Sequence, residues 1–187
     1  MEVYLFLAEG FEETEAVGSL DVLRRGGLKV TTVSISGSLP VTGAHNLAVV
    51  ADQLFEDTVF SKGRALVLPG GMPGASNLNA HVGLKNVIKQ YDAENKIVAA
   101  ICAAPLVLGG LGLLQGKKAT AYPGFENTLQ GATVVEDQVV KDGNIITGKG
   151  PGWVFDFALT VVAELKGRKK ADEVAAGLLL PGFICPV

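Results

Sequence analysis

Cys102 is the residue whose neighbours most clearly suit chemistry. It stands in Ala100-Ile101-Cys102-Ala103-Ala104-Pro105, where an apolar strand must become a helix through about one residue. So sharp a reversal needs small flanking side chains. Small-x-nucleophile-x-small is the pattern of a nucleophile elbow, here with cysteine in the serine position. A helix start beneath Cys102 is expected to favour its thiolate over its thiol. The competing reading of any lone cysteine is a buried, inert side chain; the elbow context argues against it.

Two other turns offer groups that could assist. Pro69-Gly70-Gly71-Met72-Pro73-Gly74 follows a strand and exposes backbone amides without side-chain obstruction, so it could hold an oxyanion beside a nucleophile. It is no phosphate loop, because neither a Lys-Ser/Thr pair nor GxGxxG is present. Glu12, Glu13 and Glu15 lie where the first strand meets the first helix. Glu12 and Glu13 read as charges that compensate the helix dipole. Glu15, followed by Ala16 and Val17, is expected to point inward, where an apolar setting raises a carboxyl pKa and lets it donate a hydrogen bond to a thiolate. Only two histidines occur, His45 and His81. Neither has the spacing of a Cys-His-acid triad, and His81 reads as a solvated residue early in its helix. No His/Cys/Asp cluster has metal-ligand spacing, so no metal is expected.

These turns need elements to carry them. Val3 to Leu7, Ala65 to Leu68 and Ile97 to Ile101 are short apolar runs, as in strands covered on both faces. Lys29 to Ile35, rich in Val and Thr, reads as another strand. Val41 to Asp52 reads as a short strand or hairpin. Helices are expected from Glu12-Glu13 to Arg25, stopped by Gly26-Gly27, and over Asn77 to Tyr91. Further helices are expected from Ala103 to Leu108, from Gly150 through Ala163, and over Ala171 to Ala176. Short strands are expected at Ala119 to Tyr122, Thr133 to Val135, Gln138 to Val140 and Ile145 to Thr147. The tail from Leu178 to Val187 reads as extended. Strands alternating with helices imply right-handed crossovers and a mostly parallel sheet with helices on both faces. Ligands of such sheets bind beyond the carboxyl ends of the strands, where these three turns converge.

Length and composition bound the rest. A chain of 187 residues with no internal repeat or linker is expected to be one domain, residues 1–187. With 48% hydrophobic and 19% charged residues it should bury a core without staples. A net charge of −3 without a basic run argues against nucleic-acid and membrane-surface roles. No apolar run reaches the length of a membrane span, and the amino terminus lacks the cationic start of a signal peptide. The expected location is cytoplasmic. Cys185, the second cysteine, is expected to pack rather than to pair with Cys102.

Four segments carry a more specific signal. They are Ala8-Glu9-Gly10-Phe11-Glu12-Glu13-Thr14-Glu15, Leu68-Pro69-Gly70-Gly71, Ala99-Ala100-Ile101-Cys102-Ala103-Ala104-Pro105 and Thr147-Gly148-Lys149-Gly150-Pro151-Gly152. In this order, across nearly the whole chain, they resemble successive motifs of the ThiJ/PfpI (DJ-one) superfamily, in its bacterial ThiJ/YajL-like branch. The resemblance implies a flavodoxin-like three-layer α/β sandwich with a mostly parallel central sheet, a homodimer, no cofactor, and a reactive elbow cysteine hydrogen-bonded to a protonated glutamate. Those two roles fall on Cys102 and Glu15. Gly71 and Ala103 match the oxyanion amides, with Gly70 beside them. Tyr122-Pro123 stands where human-type members carry histidine before proline; a tyrosine there offers a hydroxyl but is a poor base at neutral pH. Ala103 follows the nucleophile where the protease-like branch has histidine, which argues against a peptidase. Arg25 matches an arginine near the family's pocket, and His45 falls where another arginine is often found.

The function implied is cofactor-independent chemistry on small aldehydes and reactive dicarbonyls, glyoxalase- or deglycase-like, converting methylglyoxal to lactate in oxidative and carbonyl stress defence. One alternative is a redox-sensing, chaperone-like stress protein whose cysteine is oxidised to sulfinate. Another, attached to the ThiJ name, is a role in making a thiamine precursor.

Overall fold

A computed structural model describes residues 1–180. Seven strands form one sheet: β1 (Glu2–Leu7), β2 (Lys29–Ser34), β5 (Gln53–Leu54), β6 (Gly63–Leu68), β7 (Ile97–Ile101), β10 (Val139–Asp142) and β11 (Ile145–Gly148). Their order is β10-β11-β7-β6-β1-β2-β5. All neighbours run parallel except β10, which pairs antiparallel with β11. The remaining strands pair off the sheet: β3 (Pro40–Thr42) with β4 (Ala48–Val50), and β8 (Lys118–Ala119) with β9 (Thr133–Val134).

The central strands β1, β6 and β7 are apolar over most of their length because each face meets helices. From β1, Val3, Leu5 and Leu7 point to one core while Tyr4 and Phe6 point to the other; Ala65 and Val67 of β6 divide from Leu66 and Leu68 in the same way. The first core is closed by α1 (Glu13–Arg25), α5 (Val154–Lys166) and α6 (Arg168–Gly177), with Val22, Leu23, Phe157 and Val161 buried. The second is closed by α2 (Gly74–Ala80), α3 (Val82–Ala93) and α4 (Pro105–Gly110), through Leu78, Leu84, Ile88 and Val107. Two helix layers on a parallel sheet make the flavodoxin-like sandwich expected. Among the described residues no helix is long and apolar enough to cross a membrane.

Several boundaries differ from expectation. The single helix over Asn77 to Tyr91 is two helices, broken at His81, whose extended backbone (φ −78°, ψ 103°) ends α2 and starts α3. His81 is therefore not a solvated helical residue. Its Nδ1 accepts the Leu84 N–H at 2.9 Å, and its ring packs edge-on to Phe55 with centroids 4.5 Å apart. The helix after Cys102 begins at Pro105 rather than Ala103 and is only six residues long. Only Lys118 and Ala119 pair as a strand in the segment to Tyr122, and Pro151–Trp153 is a separate 3-10 turn before α5. Two-residue β5 carries no periodicity that could announce it. Cys185 and the tail beyond Leu180 lie outside the described residues.

Candidate active site

β1, β6, β7 and β11 end side by side, and their following turns form the site. β7 delivers Cys102 in a left-handed conformation, φ +65°, which a side chain with a Cβ adopts only under local constraint. Two bonds supply that constraint. The Cys102 N–H donates to the Gly148 carbonyl at the end of β11 (2.8 Å), and the Cys102 carbonyl accepts the Tyr122 N–H (2.9 Å). The side chain is 8% exposed, so its sulfur is nearly enclosed. The backbone N–H groups of Gly71 and Ala103 act on the sulfur, favouring its ionised form.

Glu15 reaches the same point from α1. Glu12 caps that helix, its Oε2 accepting the Glu15 N–H at 2.7 Å, which fixes the first turn. The Glu15 side chain is 0% exposed and its Oε2 accepts the Gly70 N–H at 2.7 Å. Its Oε1 has no conventional hydrogen-bond partner among the described residues, and Cys102 is the other group upon the carboxyl. Gly70 makes this approach possible: a Cβ there would come within 2.7 Å of the Cys102 Cβ and 2.9 Å of both Glu15 Oε2 and the Ile101 carbonyl. Gly71 takes φ +85°, a conformation open to glycine, and so turns its N–H to the sulfur.

Electrostatics couple the two groups. Burial pushes the Glu15 carboxyl up to about 7 from the ordinary 4.5, against the bond from Gly70 and the contact with Cys102. Burial also pushes the Cys102 thiol up to about 12, and an ionised Glu15 adds to that, while the Gly71 and Ala103 amides pull the other way. The expectation that a helix start would depress this pKa is corrected: α4 starts three residues later, and enclosure outweighs it. The push from Glu15 exists only while Glu15 is ionised. Protonated, it faces the sulfur as an acid with a proton to give. Near neutrality the pair thus passes from two protons to one, the thiol keeping its own while Glu15 loses and regains the other.

Glu15, Cys102, Gly70, Gly71 and Ala103 lie together where the strand-end turns converge. Tyr122 reaches the site through its backbone, and its ring, 46% exposed, lies over Gly150, where a Cβ would be 3.1 Å from the Tyr122 Cδ2. Arg25 is the exception. It ends α1, ten residues and about 15 Å along the helix axis from Glu15, where its Nε donates to Asp21 at 2.7 Å. Within one chain it does not line the site, because α1 points its amino end at the sulfur. Sequence reasoning assigned no role to Gly148, although its carbonyl anchors the Cys102 turn; its place in a glycine-rich strand end was the available signal. It also missed the bond from His45 to Glu13. The Glu13 carboxylate accepts the His45 N–H at 2.6 Å and meets His45 Nδ1 at 2.8 Å, tying the β3–β4 hairpin to α1. Glu12, Glu13 and His45 place ligand-type atoms within 4.8 Å of one another, but these bonds already use the facing oxygens.

With this geometry in hand, comparison with known proteins becomes specific. A model of the DJ-1/PfpI family matches residues 1–164. Protein DJ-1 homolog A of Arabidopsis thaliana is 45% identical over 181 residues, 95% of this chain and 46% of that protein. This chain therefore spans about half the length of that relative. Protein dj-1beta of Drosophila melanogaster is 38% identical over 178 residues, covering 94% of this chain and 95% of its own. A Caenorhabditis elegans protein named glutathione-independent glyoxalase DJR-1.2 is 32% identical, covering 92% of each. The crystal structure of Drosophila DJ-1beta superposes with a TM-score of 0.93 at 37% identity, over 97% of this chain and 98% of that one. The structure of oxidized Toxoplasma gondii DJ-1 superposes with a TM-score of 0.93 at 35% identity, over 97% and 99%.

Proposed function

This chain belongs to the DJ-1/PfpI family, and we propose that it is a cofactor-independent cysteine enzyme of carbonyl-stress defence, taking methylglyoxal and related small dicarbonyls to hydroxy acids. The observation that carries this reading is the coupled pair: a fully buried Glu15 held up to about 7 against the thiol of Cys102, with the Gly71 and Ala103 amides favouring the thiolate. A carboxyl that titrates near neutrality serves as base and acid in turn. The name of the nematode relative fits the same chemistry.

In the proposed reaction, ionised Glu15 takes the thiol proton as Sγ bonds to the aldehyde carbon, and the carbonyl electron pair moves to oxygen. The Gly71 and Ala103 amides stabilise that oxygen. Glu15 returns the proton to it, giving a hemithioacetal. Glu15 then removes the hydrogen on the same carbon and passes it to the ketone oxygen, forming an enediol. Next, Glu15 carries the hydroxyl proton of the sulfur-bearing carbon to the neighbouring carbon, which gives a lactoyl thioester, and water releases lactate and the free thiol. One carbon is oxidised and its neighbour reduced, so no outside oxidant or reductant enters. Lactate formation from methylglyoxal by the native chain, lost in Cys102→Ser, is the expected result. A Ser variant that still makes lactate at the native rate overturns the proposal.

A second reading is an oxidation sensor, favoured by the same donors, which would also hold the oxygens of a sulfinate on Cys102. The oxidized state of the Toxoplasma relative accords with it. Mass spectrometry after mild peroxide separates the two: a stable two-oxygen adduct on Cys102 without methylglyoxal turnover favours the sensor.

A further inference from the structure

Beside the Cys102 turn lies a cleft of about 320 Å³ lined by Tyr122, Lys149, Gly150, Pro151, Gly152 and Trp153. It is joined to the reactive residue through the backbone. The Tyr122 N–H donates to the Cys102 carbonyl, and Lys149 and Gly150 directly follow Gly148, which receives the Cys102 N–H. Two aromatic rings stand open along it, Tyr122 at 46% and Trp153 at 41% exposed. Gly150 admits the Tyr122 ring against the backbone, and a Cβ at Gly152 would meet nothing within 4 Å. The Tyr122 hydroxyl makes no hydrogen bond among the described residues, and the Lys149 ammonium is engaged by Glu136 at 2.6 Å.

Single exposed aromatics are ordinary on a protein surface. Two of them walling one glycine- and proline-lined cleft whose backbone is bonded to the Cys102 turn are a different arrangement. The volume matches the lower range of sites for drug-sized ligands and exceeds what a three-carbon ketoaldehyde fills. We propose that this cleft is a substrate subsite, taking a flat, apolar arm carried beyond the dicarbonyl, so that aryl ketoaldehydes are preferred over methylglyoxal. This rests on the proposed dicarbonyl chemistry of Cys102. Stacking on Tyr122 and Trp153 supplies the preference, because the arm presents a π-face and the dicarbonyl end alone does not.

Trp153 is the one tryptophan in the chain, so its fluorescence reports binding without turnover. Mandelate, the hydroxy acid expected from phenylglyoxal, should quench it saturably in the native protein, and lactate at equal concentration should not. Tyr122→Ala should weaken mandelate roughly 3- to 10-fold. In kinetics, the ratio of kcat/KM for phenylglyoxal to that for methylglyoxal should fall by a similar factor in Trp153→Ala and recover in Trp153→Phe, which keeps a flat wall. Mandelate that quenches no better than lactate, or binding indifferent to Tyr122→Ala, overturns the subsite whatever the turnover. Saturable mandelate binding with no lactate made from methylglyoxal supports the subsite and instead removes the dicarbonyl chemistry.

Discussion

Glu15 is a carboxyl with no route to water, and its behaviour follows from where its charge can go. In the unfolded chain it ionises near 4.5; in the fold burial delays this to about 7. Between those values the folded protein holds a proton that the unfolded chain has lost, so stability falls as pH rises through that window and is unaffected by Glu15 below it. The difference is worth about 3 kcal/mol. Glu15→Gln removes the titration while keeping an oxygen for the Gly70 N–H. Denaturation midpoints of the two proteins should therefore diverge from pH 4.5 to 7 in favour of Gln; parallel pH profiles would mean the carboxyl is not buried as described. The thiol supplies a second check. The Gln side chain keeps a donor toward the sulfur, whereas a Leu side chain keeps none, so thiolate absorbance should appear at lower pH in Glu15→Gln than in Glu15→Leu. The reverse order would place Glu15 away from the sulfur.

At the scale of elements, the site depends on ends rather than on middles. Cys102 is a strand end pinned by two backbone bonds, Gly148 another strand end, and Glu15 a first helical turn fixed by the Glu12 cap. Helix ends are where apolar periodicity is silent, which is why the break at His81 was invisible in the pattern over Asn77 to Tyr91. A histidine cap is unusual, since Ser, Thr, Asp and Asn are preferred there. Replacing His81 by Ala should cost about 1 kcal/mol through the lost bond to Leu84, with the contact to Phe55 adding to it. His81→Ser restores an acceptor at the same position. It should recover part of the loss in denaturant midpoint, and a Ser variant as unstable as Ala would show that the cap contributes nothing.

At the scale of the whole molecule, the β3–β4 hairpin is held against α1 by Glu13, and its outer side is apolar. Val50 is 68%, Leu47 54% and Leu39 39% exposed, with Val17 of α1 at 45%. Scattered exposed side chains need no explanation, but these belong to two elements tied together, and clustered apolar surface marks an interface. We expect a homodimer formed on this face. Sedimentation at micromolar concentration should give twice the chain mass, and Val50→Lys should shift it toward the single chain. A native monomer would reject the expectation, and a Val50→Lys dimer would move the interface elsewhere.

Apolar strand runs at Val3, Ala65 and Ile97, punctuated by glycine and proline, were enough to read the parallel sheet, because a strand covered on both faces has no polar side to hide its pattern. Cys102 was legible from its small neighbours, since local sterics act within a few residues, whereas Val17, one of the two apolar residues from which Glu15 was read as inward-facing, is itself 45% exposed. The tertiary structure alone decided three things. It set the direction of the Cys102 pKa, because burial is a sum over elements distant in sequence and here outweighs a short helix that starts late. It removed Arg25 from the site, because a helix carries its two ends about 15 Å apart however close they stand in sequence. It brought His45 to Glu13, because a hairpin's docking is fixed by hydrogen bonds across 32 residues of chain, a separation that no local pattern records.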